Sequence, residues 1–252
     1  MNLKRLIIIA TGLVFMWQGI VFLTGVPHYI LPGPLRVAEA AFLNWDTLLS
    51  HALTTLFEVI LGLLLGTVIG ASCAVSMMAS RAVMRWLLPV LVISQAVPVF
   101  ALAPILVLWL GYGMSSKIGM AVLIIFFPVT AAFYDGMRST EPEWLELARV
   151  MDATPLSILL HIRIPAAMPS FASGLRVATA VAPIGAVVGE WVGSSSGLGF
   201  FMLHANARMR IDVMFSALAV LAVLAVGLYF IVDKTMTKIV YWQKVEETGE
   251  EP

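Results

Sequence analysis

A polytopic all-α membrane protein with six transmembrane helices, forming a single domain over residues 1–252, is what this chain predicts, on three observations. Hydrophobic residues make up 60 % of it and charged ones 12 %, with a mean hydropathy of +0.96; a soluble domain is about one quarter charged. Apolar windows of about 20 residues, each enough to cross ~30 Å of hydrocarbon as a helix, recur along its length. Between two of them lies one polar island, TEPEWLELARVMDATPLSILLHIRIP, from Thr140 to Pro165.

The expected spans are residues 6–25, 53–78, 87–110, 117–137, 172–193 and 213–233. The first follows Lys4 and Arg5 as a secretory signal would, but it is long enough to span and no small-x-small cleavage site ends it, so it reads as a retained anchor. The second carries Gly62, Gly66 and Gly70 on one face, small residues that let helices approach closely, within the chain or across a dimer seam. Glu58 sits near its outer end, where hydration, a basic partner or a pathway role would each account for it. Pro89, Pro98 and Pro104 predict a kinked or broken third span. Ser94, Gln95 and Pro98 near its middle are candidates for the translocation path, since broken polar backbone at that depth faces protein or a water-filled cavity. Pro183, with Gly185 and Gly189, makes the fifth span bendable, and Glu190 closes it near the outer face as a gate, a partner contact or a salt bridge.

Loop charge sets the orientation. With the N-terminus inside, eleven basic residues lie inside (Lys4, Arg5, Arg81, Arg85, Arg138, Arg149, Arg163, Arg176, Lys234, Lys238, Lys244) against four outside (Arg36, Lys117, Arg208, Arg210). Both termini and the island are therefore expected in the cytoplasm. The acidic tail Glu246–Pro252 is expected to be flexible.

Within the island, Thr140-Glu141-Pro142-Glu143 reads as a capping box for a helix over Trp144–Met151. Asp152-Ala153 reads as a turn, Thr154-Pro155 as a second helix start, and Pro165 as the end of a second short helix over Leu156–Ile164. Such a pair is either an ordinary interfacial connection or a docking surface for a partner's groove.

Several classes of function find no support. Fifteen basic residues balance fifteen acidic ones, which argues against a nucleic-acid partner. The lone Cys73 lies in an apolar run and reads as packing, and His28, His51, His161 and His204 show no ligand spacing. A membrane-embedded enzyme would need a convergent catalytic set, and an ion-coupled carrier would want matched broken helices in two halves; neither pattern is evident.

The island's spacing resembles the signature of permease subunits of bacterial ABC importers, E-A-A, three residues, G, nine residues, I-x-L-P. Here it reads Glu146-Leu147-Ala148, Asp152, then Ile162-Arg163-Ile164-Pro165, with aspartate where the family has a glycine suited to a left-handed turn. Tyr29-Ile30-Leu31-Pro32-Gly33-Pro34, Phe100–Pro104 with Leu108–Gly113, and Glu190-Trp191 with Ser195–Gly199 resemble the nitrate, sulfonate, taurine and thiamine-precursor branch. The resemblance implies a type I importer fold in the bacterial inner membrane. It implies a second permease copy (a homodimer being the simpler case), a pair of ATP-binding subunits that use ATP and magnesium, and an extracytoplasmic solute-binding protein. The chain has no G-x-x-x-x-G-K-[ST] loop and no cofactor of its own is implied, so the island would be the ATPase-coupling element. Ser94–Pro104 and Gly111–Lys117 look most like the branch for the thiamine pyrimidine precursor hydroxymethylpyrimidine, with sulfonate, taurine or nitrate as alternative cargo.

Overall fold

In a computed structural model the chain is described over residues 3–242, with side chains from residue 8 onward except that of Gln95. The described residues hold eleven α-helices and one π-helical turn, with no strand. In order they are α1 (Leu3–Thr24), α2 (Pro34–Leu43), α3 (Trp45–Ala79), α4 (Arg81–Ala96), α5 (Val99–Leu110), α6 (Met114–Arg138), α7 (Pro142–Val150) and α8 (Pro155–Ile158). The π turn Leu159–Arg163 leads into α9 (Ile164–Gly193), followed by α10 (Leu198–Ala207) and α11 (Ile211–Ile239). The acidic tail lies outside the described residues, as do the side chains of Lys4 and Arg5.

Four stretches are long and apolar enough to cross a bilayer alone: α3, α6, Pro155–Gly193 and α11. The fourth, fifth and sixth expected spans fall within the last three, the fifth taking only the latter part of Pro155–Gly193. The second begins at Trp45, because the hydropathy window sees only the apolar part of a 35-residue helix about 52 Å long. The third is not one helix: α4 and α5 meet at 105°. Three prolines were eligible to break it, and the break falls at Pro98. Val97 before it is extended (φ −84°, ψ 121°), as a following proline ring demands, while Pro89 and Pro104 stay inside their helices. The pair would count as a fifth span, and α1, apolar over Ile8–Thr24, is the remaining candidate. Two short helices, α2 and α10, had no counterpart in the expected spans. They bury Ala40 and Ala205 against Val213 at the start of α11.

The core is made by α3, α6 and α9 packed side by side, with Val59, Leu63, Ala121, Ile125, Val129, Ala172, Ala178, Ala182 and Ala186 among its buried residues. In a bilayer, lipid offers apolar contact everywhere, so helices associate by packing quality, which favours small residues. Gly62, Gly66 and Gly70 all face α6: a methyl group on Gly62 would strike Ala121 Cβ, and one on Gly66 would sit 2.7 Å from Ile125 Cγ2. From the other side, a methyl on Gly185 would come 2.7 Å from Ala121 Cα, and one on Gly174 2.7 Å from the Pro128 carbonyl. The glycine stripe of the second span is therefore an intrachain seam. Thr130 adds a hydroxyl bond to the Gly70 carbonyl at 3.2 Å. Helix α11 lies against α9, where Arg176 pairs with Asp233 at 2.6 Å, and α1 reaches the bundle through Trp17 stacked on Phe215.

Overpacking this seam has a measurable consequence. Gly66→Val is expected to destabilise the fold by about 1–3 kcal/mol, read as a lowered thermal unfolding midpoint in nanodiscs. Gly227→Ala, where an added methyl meets nothing within 4 Å, does not lower the midpoint.

Candidate functional site

The island folds as two helices joined by a tight turn, with three local differences from expectation. Thr140 does not cap α7: Glu141 occupies the N-cap without a side-chain bond. Thr140 is buried and donates to the Met137 carbonyl at 2.9 Å, serving an unpaired carbonyl at the end of α6 instead. No capping box forms, so Glu143 makes no return bond to Thr140. Thr154 does cap α8, accepting from the Ser157 amide at 3.2 Å. Pro165 does not end the second helix. It falls in the first turn of α9, and Ile164 donates back five residues to Leu159, the wider π spacing next to a residue that has no amide to give. Pro155–Gly193 is thus one continuous helical stretch of 39 residues.

Asp152 holds φ 54°, the left-handed conformation. Its amide donates to Arg149 O and that of Ala153 to Ala148 O, both at 3.0 Å, closing a Schellman motif at the end of α7. This position normally takes glycine; aspartate tolerates it at modest cost. The signature residues then separate by exposure. Glu146, Leu147 and Asp152 are exposed, Ala148 is buried, and Ile162, Ile164 and Pro165 are half-buried. Leu147, Ala148, Ile162 and Pro165 meet, with Trp144 and Met151, along one apolar groove. Glu146, Asp152 and Ile164 do not line it. Leu147 is 62 % exposed and Met151 74 %, so among the described residues, which include Trp242 at its wall, the groove stands open.

The proposed path residues do not converge. Ser94 satisfies its hydroxyl locally on the Leu91 carbonyl at 2.7 Å, Pro98 is exposed at the α4–α5 break, and the side chain of Gln95 lies outside the described ones. Pro183 is buried within α9. Glu190 is also buried, and among the described residues it has no salt bridge. Its carboxylate accepts from the Thr55 hydroxyl at 2.6 Å and from the amide of Gly199.

Around it lies a buried polar network that loop assignment had hidden. Lys117, expected in an outer loop, is buried in the first turns of α6 and pairs with Glu58 at 2.8 Å. The acid in the second span thus has a basic partner. Thr55 accepts from the Leu198 amide at 2.8 Å, and His51 Nδ1 from the Gly197 amide at 3.0 Å. The loop before α10 is therefore held by three successive amides on Thr55, His51 and Glu190. Gly197 has φ 104°, and a methyl there or on Gly199 would strike the Glu190 carboxylate. The S-G-L-G sequence is what allows the loop to close on the acid. Thr55 and Glu58, three apart on one helix face, were the available sequence signal; no local signal marks Lys117.

Removing one partner of a buried pair strands the other's charge, at about 3–5 kcal/mol. Lys117→Met is expected to lower the unfolding midpoint sharply, and Glu58→Gln/Lys117→Met to recover most of the loss. A double variant no more stable than the single one contradicts the pairing. At the turn, Asp152→Gly is expected to be neutral or stabilising by up to about 1 kcal/mol and Asp152→Val destabilising, read in the same melts.

Over residues 62–239 the chain matches the model of the binding-protein-dependent transport system inner membrane component family. It is 54 % identical over 239 residues to a probable ABC transporter permease protein of Haemophilus influenzae, covering 95 % of this chain and 97 % of the relative. It is 35 % identical to the formylaminopyrimidine transport permease protein ThiX of Halalkalibacterium halodurans, over 92 % of this chain and 93 % of that one. Identity is also 35 % to the riboflavin transport system permease protein RibX of Chloroflexus aurantiacus, over 92 % and 87 %. Among solved structures, an inward-facing form of the MetNI methionine ABC transporter shares the fold, with a TM-score of 0.68 and 19 % identity over 78 % of this chain and 97 % of that one. An all-helical bundle of this shape, matched over most of its length, belongs to the binding-protein-dependent transport system inner membrane component family, as an ABC transporter permease.

Proposed function

We propose that this chain forms, with a second copy of itself, the translocation path of a six-span type I importer, both termini in the cytoplasm. Separate ATP-binding subunits supply the energy from ATP and magnesium, and an extracytoplasmic binding protein delivers the solute. The carrying observation is the open groove on α7–α8 together with the unbroken helix leading away from it. Trp144, Leu147 and Met151 expose apolar surface along a short helix and its C-terminal turn, the form of a segment that fills a partner's groove. Because Pro165 leaves the helix intact, a displacement of α8 passes into α9 and toward Glu190. Closure of the ATPase dimer would move this end, and the opposite end of α9 would change its relation to α3 and α6, giving alternating access. Glu146, Leu147, Ala148, Asp152, Ile162, Ile164 and Pro165 are its coupling residues; Ser94, Gln95, Pro98, Pro183 and Glu190 are path or gate residues.

For the cargo we infer a pyrimidine precursor of thiamine, hydroxymethylpyrimidine or a close analogue. Support comes from the relative named for formylaminopyrimidine; riboflavin, for which a second relative is named, also contains a pyrimidine ring. Uptake into proteoliposomes holding the chain, its ATP-binding subunit and its binding protein is expected to need ATP and to favour the pyrimidine over taurine. Uptake driven by an ion gradient without ATP would sink the reading, and preference for taurine would move the cargo to the sulfonate class. Glu146→Lys and Leu147→Asp, both at exposed positions, are expected to lower transport tenfold or more while ATP hydrolysis continues, with the chain inserted normally. Unchanged coupling in both variants removes the groove from the mechanism.

A further inference from the structure

A second cavity, of about 830 Å³, opens on a different face of α7 and α8 from the docking groove. Four arginines line it: Arg81 in the first turn of α4, Arg138 ending α6, Arg149 near the end of α7 and Arg163 ending the π turn. No carboxylate lines it, and among the described residues none of the four is in an ion pair. The Arg163 guanidinium rests on the Met78 thioether, a weak acceptor for so strong a donor. The 16-residue helix α4 also begins here, with Ser80 as cap, Arg81 in its first turn and no acidic residue there. A cation at the positive end of a helix is unfavourable, and an anion at that end is favourable. Four like charges around one cavity repel until an anion enters, and guanidinium groups match phosphate oxygens two by two.

We propose that this cavity binds the phosphate headgroup of an anionic phospholipid. The rest of its wall favours a lipid over a soluble phosphate, because Met77, Met84 and Leu156 beside the arginines offer apolar surface to the start of an acyl chain. Its position fits as well: the ends of α3 and α6 and the start of α4 bound it. These are helix ends that the loop charges assign to the cytoplasmic leaflet, where anionic lipids lie and each nearby arginine contributes about 1 kcal/mol of attraction. The proposal rests on that orientation but not on the docking role of the groove.

Native mass spectrometry of the full chain, released from nanodiscs of phosphatidylglycerol mixed with phosphatidylcholine, tests it without the ATPase, so a failure of the coupling reading leaves this readout intact. Phosphatidylglycerol is expected to be retained over phosphatidylcholine. Arg138→Gln/Arg149→Gln, at two exposed positions, is expected to weaken retention roughly thirtyfold, while the corresponding lysine pair keeps most of it. Inorganic phosphate bound at the cavity without lipid retention would assign the site to a soluble anion and overturn the proposal. Equal retention in the glutamine variant also overturns it. Retention that emerges only after residues 243–252 are deleted would overturn it too, by making the chain's own acidic tail the occupant.

Discussion

Everything in this bundle depends on how closely α3 and α9 approach α6. Ala121 is where both approaches meet: Gly62 faces it from one side and Gly185 from the other, and neither has room for a methyl group. One helical turn away, the same three faces carry Glu58, Lys117 and Gly189, with Glu190 next to the last. The small-residue contact therefore sets the register in which the ion pair forms. Were α3 and α6 held apart by larger side chains, the 2.8 Å Lys117–Glu58 contact would lengthen, and two buried charges would lose their compensation. Packing and electrostatics here are one constraint seen at two heights of the same seam.

That constraint extends to the loop before α10. Thr55 and Glu190, on α3 and α9, both reach its backbone amides, so the loop bridges two of the three core helices. Gly197 and Gly199 make this possible by presenting bare backbone to the carboxylate. A side chain at either place would push the loop off Glu190 and leave a buried acid with fewer donors, a larger cost than the loss of one contact.

Much of this was legible in the sequence. Hydropathy found the long apolar helices and the polar island between them, proline content marked the span that breaks, and the family resemblance pointed to a left-handed turn at Asp152. Charge partners were not legible in the same way. A hydropathy window assigns a lysine at the edge of an apolar run to the loop, since nothing local tells it that a glutamate 59 residues earlier faces the same point. The misread ends of the island have a related cause. Thr140 suits either neighbour, as cap of α7 or as partner for a stranded α6 carbonyl, and only the packed structure decides. Pro165 reads as a stop by rule, but a π turn tolerates it, and the choice belongs to the packing of α9. Short helices such as α2 and α10 escape a window set to membrane-spanning length; tertiary contact stabilises them rather than their own propensity.

The contrast between α9 and the α4–α5 pair is the final element. Both contain prolines, yet Pro155–Gly193 is continuous and Arg81–Leu110 turns through 105°. The difference lies in support. Helix α9 packs one face against α3 and α6, with Ala167, Ala178, Ala182 and Ala186 wholly inaccessible, so neighbours support a backbone that stays helical across Pro169 and Pro183. Around Pro98, Ile93 is 61 % exposed and Phe100 68 %, so the bend that the proline starts has less packing against it. Proline content alone therefore does not set where a span breaks; the packing on either side of each proline does.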